Sequence, residues 1–108
     1  MVLDLFPSLD GTPDCYHVAR ERLYDEAWER WGEHAQVAML AEEATELSLA
    51  VQQDQRGRDS NVAEEIADVL IMLEQVCSHR PDLWAKAKEE AQGKLRRLAR
   101  RLEAARKA

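Results

Sequence analysis

The sequence predicts an all-α protein, an antiparallel four-helix bundle that associates with copies of itself, and three observations lead there. Four glycines and three prolines are the only strong breakers in 108 residues. The helix formers Ala, Leu, Glu and Arg dominate, and only 6% of residues are aromatic, a balance that suits helices better than sheets. Apolar residues recur at helical spacing and nowhere alternate as a half-buried strand requires. The length suits one domain, residues 1–108, with a core modest enough that association would add stability.

Taken in order, residues 1–12 read as irregular, with Pro7, Gly11 and Pro13 as breakers. Thr12 before Pro13 reads as an N-cap with proline at the first helical position. A first helix then runs to about Trp31, with Tyr16, Ala19, Leu23, Ala27 and Trp31 as its apolar stripe, and Gly32 ends it. A second helix spans roughly 35–55 and stops at Arg56-Gly57-Arg58. Asn61 and Glu64 have capping-box spacing, so a third helix begins near 61 and runs to about 78. Pro81 opens a fourth, whose stripe of Trp84, Ala91, Leu95, Leu98 and Leu102 continues almost to the C-terminus. Short connections between four helices imply antiparallel neighbours.

Charge is unevenly spread. The net charge is −6, yet residues 94–108 carry Lys94, Arg96, Arg97, Arg100, Arg101, Arg106 and Lys107 against Glu103 alone. An acidic body thus carries a basic final helix. Cys15 and Cys77 are too few for a disulfide framework, so reduced thiols are expected. No apolar run approaches the ~20 residues a membrane span needs, and the start, MVLDLFPSLDG, lacks a basic signal-peptide region. The expectation is a soluble cytoplasmic protein.

Two pairs of acids carry the chemistry. Glu43 and Glu46 are spaced i,i+3, as are Glu65 and Asp68, so each pair shares one side of a helix. At about 100° per residue, Met39, Leu40, Leu47 and Ala50 share the side of the first pair, and Val62, Val69, Met72 and Val76 that of the second. Carboxylates in an apolar stripe face inward, where an unpaired charge is costly and something positive should meet them. Two facing helices would deliver four carboxylates to one point. Oxygen-only ligands select Mg²⁺, Mn²⁺ or Ca²⁺ over zinc or copper. The di-iron pattern Glu-x-x-His is absent at His17, His34 and His79. The competing reading is ordinary solvated helix charge, which fits Glu21, Glu26, Glu29, Glu74, Glu89 and Glu90. Glu42 and Glu64 sit beside the inner stripe, as supporting groups or as surface charges.

Glu42-Glu43-Ala44-Thr45-Glu46, followed after 18 residues by Glu65-Ile66-Ala67-Asp68, resembles the EExxE…ExxD signature of the MazG-like nucleoside triphosphate pyrophosphohydrolases. The wider likeness covers about residues 36–101. It implies an all-α bundle of oligomeric subunits whose active sites can use residues of a neighbouring subunit, Lys94 or the first helix; the long apolar stripes themselves suggest a homodimer or a dimer of dimers, a homotetramer. It also implies Mg²⁺, with Mn²⁺ a possible substitute, held by Glu43, Glu46, Glu65 and Asp68, and Glu42 helping to orient water or a second metal. The implied reaction is attack of water on the α-phosphorus of a ribo- or deoxynucleoside triphosphate, giving monophosphate and pyrophosphate, a nucleotide-pool cleaning activity. Family members place a lysine of the last helix toward the phosphates, often in an Asn-x-Lys run. Gln92-Gly93-Lys94 matches it at Lys94 but not at Gln92, and Arg97 and Arg101 either assist or form a solvated basic face.

For base binding, Trp28 and Trp31 could stack on a ring and Gln36 could read its edge, although tryptophans in an amphipathic helix also serve as core or interface. The alternative of another class is a non-enzymatic helical module whose basic C-terminal helix binds nucleic acid or an acidic partner. The acidic body and the lack of aromatic residues among the basic ones argue against it.

Overall fold

The computed structural model describes residues 13–108, with side chains described from Arg20 onward. The expectations for residues 1–12, and for the side chains of Cys15, Tyr16, His17 and Ala19, lie outside the described residues. Three helices follow in order, α1 (Pro13–Gln55), α2 (Val62–His79) and α3 (Pro81–Lys107), with no strand among the described residues. α1 is two helices in one. Gly32 interrupts it at φ 86°, ψ 159°, a backbone region open essentially to glycine alone. The expected first two helices are therefore present as limbs 13–31 and 33–55, joined through a single residue where a short loop was expected.

α1 ends in a Schellman motif. Arg58 N–H donates to Gln53 O at 3.0 Å and Gly57 N–H to Asp54 O at 3.0 Å, with Gly57 at φ 73° in the left-handed position such a cap needs. α2 starts where expected, but the Asn61 side chain makes no capping hydrogen bond. Backbone alone closes the first turn, Glu65 N–H donating to Asn61 O at 2.9 Å. Pro81 occupies the first turn of α3, where its fixed φ and missing N–H cost nothing.

The 33–55 limb and α2 form an antiparallel hairpin in one register. Gln36 meets Gln75 through a buried side-chain hydrogen bond, Glu43 meets Asp68, and Glu46 lines a cleft with Glu65. Ala50 is buried toward the turn, and Met72, Val76 and Cys77 toward the other end. Burial pushes the Cys77 thiol pKa up, as expected for an inert core thiol.

The 13–31 limb packs on the last turns of α2 with a face the hydropathy pattern does not show. Leu23 and Trp31, expected inside, are exposed, whereas Arg20 and Tyr24 are buried. The reason is Glu74. Expected as a solvated charge, it is fully buried, with Arg20 Nε 2.5 Å from its Oε1 and Tyr24 Oη donating to the same oxygen at 2.8 Å. One turn on, Trp28 stacks on His79 at 4.6 Å between ring centroids, and His79 Nε2 lies 2.8 Å from Asp25 Oδ1. A charged pair and a mixed aromatic stack hold this limb, so the chain reads as polar where it is packed.

α3 behaves differently. It touches α2 but makes no close backbone approach to α1, and none of its residues is buried. Trp84 is half-buried, with Lys88 Nζ 5.3 Å from its ring centroid. Leu95, Leu98 and Leu102 lie open, so the expected bundle does not close within one chain. Arg80 ties the start of α3 down, with Nη2 3.3 Å from Asp82 Oδ2 and Nη1 3.4 Å from Glu33 Oε1. No described helix is long and apolar enough to cross a membrane.

A Cβ at Gly32 would meet nothing within 4 Å, so its substitution isolates backbone strain. Gly32→Ala is expected to lower unfolding free energy by about 1–3 kcal/mol in urea titrations. Gly57→Ala should cost about 1–2 kcal/mol.

Candidate metal centre

The hairpin register brings acids from two helices together at mid-length. Glu43 from α1 and Glu65 and Asp68 from α2 each offer a carboxylate oxygen, all within 4.8 Å of one another. Helical spacing explains the pairing. Residues 65 and 68 share a face of α2, and the antiparallel partner supplies residue 43 opposite them. All three are half-buried, and among the described residues no lysine or arginine pairs with them.

Electrostatics follow from the crowding. Partial burial, then the charges of Asp68, Glu46 and Glu42, and a hydrogen bond shared with Asp68 hold the Glu43 carboxyl above the usual carboxylate range. Glu65 is pushed up likewise by burial, then by Asp68, Glu46, Glu43 and Glu64. Glu46 itself is exposed and stands outside the three-residue cluster, on its rim. Glu42 and Glu64 are exposed neighbours whose charges reach the cluster. An all-oxygen donor set with like charges and no basic partner suits a hard divalent cation. The residues present fit such an ion.

Two clefts flank the acids along the same groove. Toward the turn, one of about 570 Å³ is lined by Glu46, Leu49, Gln53, Asp59, Asn61 and Glu65, among others. Toward Gly32, one of about 510 Å³ is lined by Trp31, Ala35, Gln36, Met39 and Met72. The second has apolar walls and one buried amide, Gln36.

Of the residues expected for base contacts, Trp31 and Gln36 line this apolar cleft, while Trp28 is engaged with His79 instead. Lys94, Arg97 and Arg101 are exposed on α3. Arg97 lines a shallow surface groove with Glu89, Glu90, Gly93, Arg96 and Arg100. Among the described residues no ion pair joins this basic set to the acids. Sequence reasoning missed Gln53, Asp59 and Asn61, whose place depends on the path of the turn. It also missed Gln75, whose signal was available: it lies two turns beyond Asp68 on the same inward side of α2.

Residues 32–104 match the family described as the MazG nucleotide pyrophosphohydrolase domain. With most of its length matched, the chain belongs to that family. The match takes in both the acidic hairpin and the basic final helix, and the interaction-module alternative is not favoured. No curated protein and no solved structure matches the chain.

The raised carboxyls have a thermodynamic sign. Between the ordinary carboxylate pKa and the raised values, the folded, metal-free protein holds protons on Glu43 and Glu65 that the unfolded chain has released. Its stability should therefore fall as pH rises from the ordinary carboxylate pKa of about 4.3 through the raised values. Melts in EDTA should show this decline, and Glu65→Gln should flatten it. Excess Mg²⁺ should raise the melting temperature more near pH 8 than near about pH 5, since protons compete for the same oxygens.

Proposed function

We propose that the protein is a Mg²⁺-dependent nucleoside triphosphate pyrophosphohydrolase, with Mn²⁺ able to substitute. It takes a ribo- or deoxynucleoside triphosphate and water to nucleoside monophosphate and pyrophosphate, removing unwanted nucleotides from the cytoplasmic pool. The observation that carries this reading is the convergence of Glu43, Glu65 and Asp68 without a basic partner, between one polar and one apolar cleft. Those three would hold the cation, with Glu46 completing the set from the rim. A bound divalent cation offsets the triphosphate charge and the charge that develops on the transferring phosphoryl group.

The chain's own groups do the rest. Glu42, exposed beside Glu43, orients the attacking water and takes its proton. The water oxygen bonds to the α-phosphorus as the bond to the bridging oxygen breaks, and pyrophosphate leaves. Trp31, Met39 and Met72 shelter the base, and Gln36 meets its edge. Trp28 steadies the 13–31 limb through His79.

A second copy completes the site. The open stripe Leu95, Leu98 and Leu102 supplies the apolar face for a homodimer or a dimer of dimers. In that assembly Lys94, with Arg97 and Arg101, approaches the phosphates bound by a neighbouring copy.

Asp68→Asn and Glu65→Gln should each cut kcat/KM by about 10²-fold or more, with helicity by circular dichroism unchanged. EDTA should abolish pyrophosphate release. Retained turnover in both variants would remove these residues from the site, and orthophosphate as the product would assign a different bond. Leu98→Asp should shift the light-scattering mass toward the monomer and lower activity with it. An unchanged mass would remove the α3 stripe as the interface.

A further inference from the structure

The apolar cleft has one polar reader, and a second residue determines which end of it the cleft sees. Gln36 and Gln75 are both buried, and Gln75 Nε2–H donates to Gln36 Oε1 across the α1–α2 interface. A carboxamide carries its oxygen and its nitrogen on opposite sides of the same planar carbon. With Oε1 turned to Gln75, the Gln36 Nε2 amide points away from it, carrying two N–H donors. Among the described residues that nitrogen has no hydrogen-bond partner, and Gln36 lines the cleft. Nε2 is not sealed from solvent, and a donor open to the cleft favours a ligand that brings an acceptor.

Distance along the helices relates this group to the acids. Gln36 precedes Glu43 by seven residues, and Gln75 follows Asp68 by seven. At 1.5 Å per residue the amide pair stands about 10 Å from the acidic cluster. That separation suits a nucleotide whose α-phosphate is at the acids and whose base edge meets the amide. Met39 and Met72 lie between, one turn from the acids on either helix. Their soft side chains suit the faces of a sugar and a base.

We propose that Gln75 is a positioning residue that locks Gln36 as a hydrogen-bond donor, so the site prefers bases with a ring carbonyl at that edge over bases with an exocyclic amine there. Uracil, thymine and hypoxanthine are of the favoured kind; cytosine and adenine are of the disfavoured kind. This rests on the nucleotide pyrophosphohydrolase reading and goes beyond it by naming the class of base.

The test compares pairs that differ at that edge, UTP with CTP and ITP with ATP. For whichever pair is turned over, kcat/KM should favour the carbonyl member by about 10-fold or more. Calorimetric binding of UMP and CMP gives the same comparison without turnover. Tighter UMP binding without pyrophosphate release from any triphosphate would keep the donor assignment and overturn the reaction. Equal treatment of the carbonyl and amino members in both turnover and binding would overturn the donor assignment.

Gln75→Glu turns position 75 into an acceptor, so Gln36 must rotate its NH₂ inward and offer its oxygen to the cleft. The preference should then move toward CTP and CMP, a change that a merely structural residue would not produce. A folded Gln75→Glu protein that keeps the wild-type preference would overturn the role of Gln75. Should Gln75→Glu fail to fold, Gln75→Leu frees the amide to rotate, and its UTP-to-CTP ratio should fall toward one. An unchanged ratio in that variant would overturn the role equally.

Discussion

Repulsion among Glu43, Glu65 and Asp68 is the constraint around which the rest of the molecule is arranged. Three carboxylates meeting at the middle of a two-helix interface remove apolar burial from the place where a hairpin would normally have most of it. Apolar burial is displaced to either side, to Ala50 toward the turn and to Met72, Val76 and Cys77 toward the far end. The groove opens into clefts beside those two patches, with Ala50 in the wall of one and Met72 in the wall of the other. The recognition surface and the weak centre of the core are thus one feature, produced by the same charges. Enzymes commonly carry such unfavourable local arrangements where function requires them.

The polar contacts at the far end follow from this. With the centre unable to hold the helices together, the 13–31 limb is secured by Arg20, Tyr24 and Glu74 and by the Trp28–His79 stack. A buried ion pair adds little net stability over a well-packed apolar contact, but it penalises alternative pairings strongly. A limb that must reverse at Gly32 and dock in one register gains more from that selectivity than from added apolar area. The placement of Trp31 beside the apolar cleft depends on the same docking, because the kink falls between Trp31 and the rest of the cleft wall.

Much of this was legible in the chain. The helix starts at Pro13, Val62 and Pro81 and the break at Gly32 follow from local backbone chemistry, which acts over a few residues. The inward phase of Glu43, Glu65 and Asp68 was readable because their helical neighbours are unambiguously apolar. What was not legible depended on partners distant in sequence. Glu74 looks like a surface acid until Arg20 and Tyr24 are brought to it. The stripe of the first limb was displaced for the same reason, since Leu23 outscores Arg20 on any hydropathy reading. Glu46 shares its face with Glu43 on an ideal helix, yet the register gives it the rim. The resemblance sets Lys94 toward the phosphates of its own or a neighbouring subunit, and whether a helix serves its own chain or another is not encoded in its periodicity.

The single antiparallel register also governs how the chain can change over evolutionary time. Inserting one residue anywhere between Gln36 and Glu43 would rotate everything on one side of it by about 100° and slide it 1.5 Å. That would break the alignment that brings Glu43 opposite Asp68. The same insertion between Arg56 and Asn61 disturbs only exposed or half-buried turn residues. Length variation among descendants of this sequence should therefore collect in that turn, while both helical arms keep their lengths and drift only by substitution. The hairpin works as a ruler, and its two arms can be recoloured but not re-graduated.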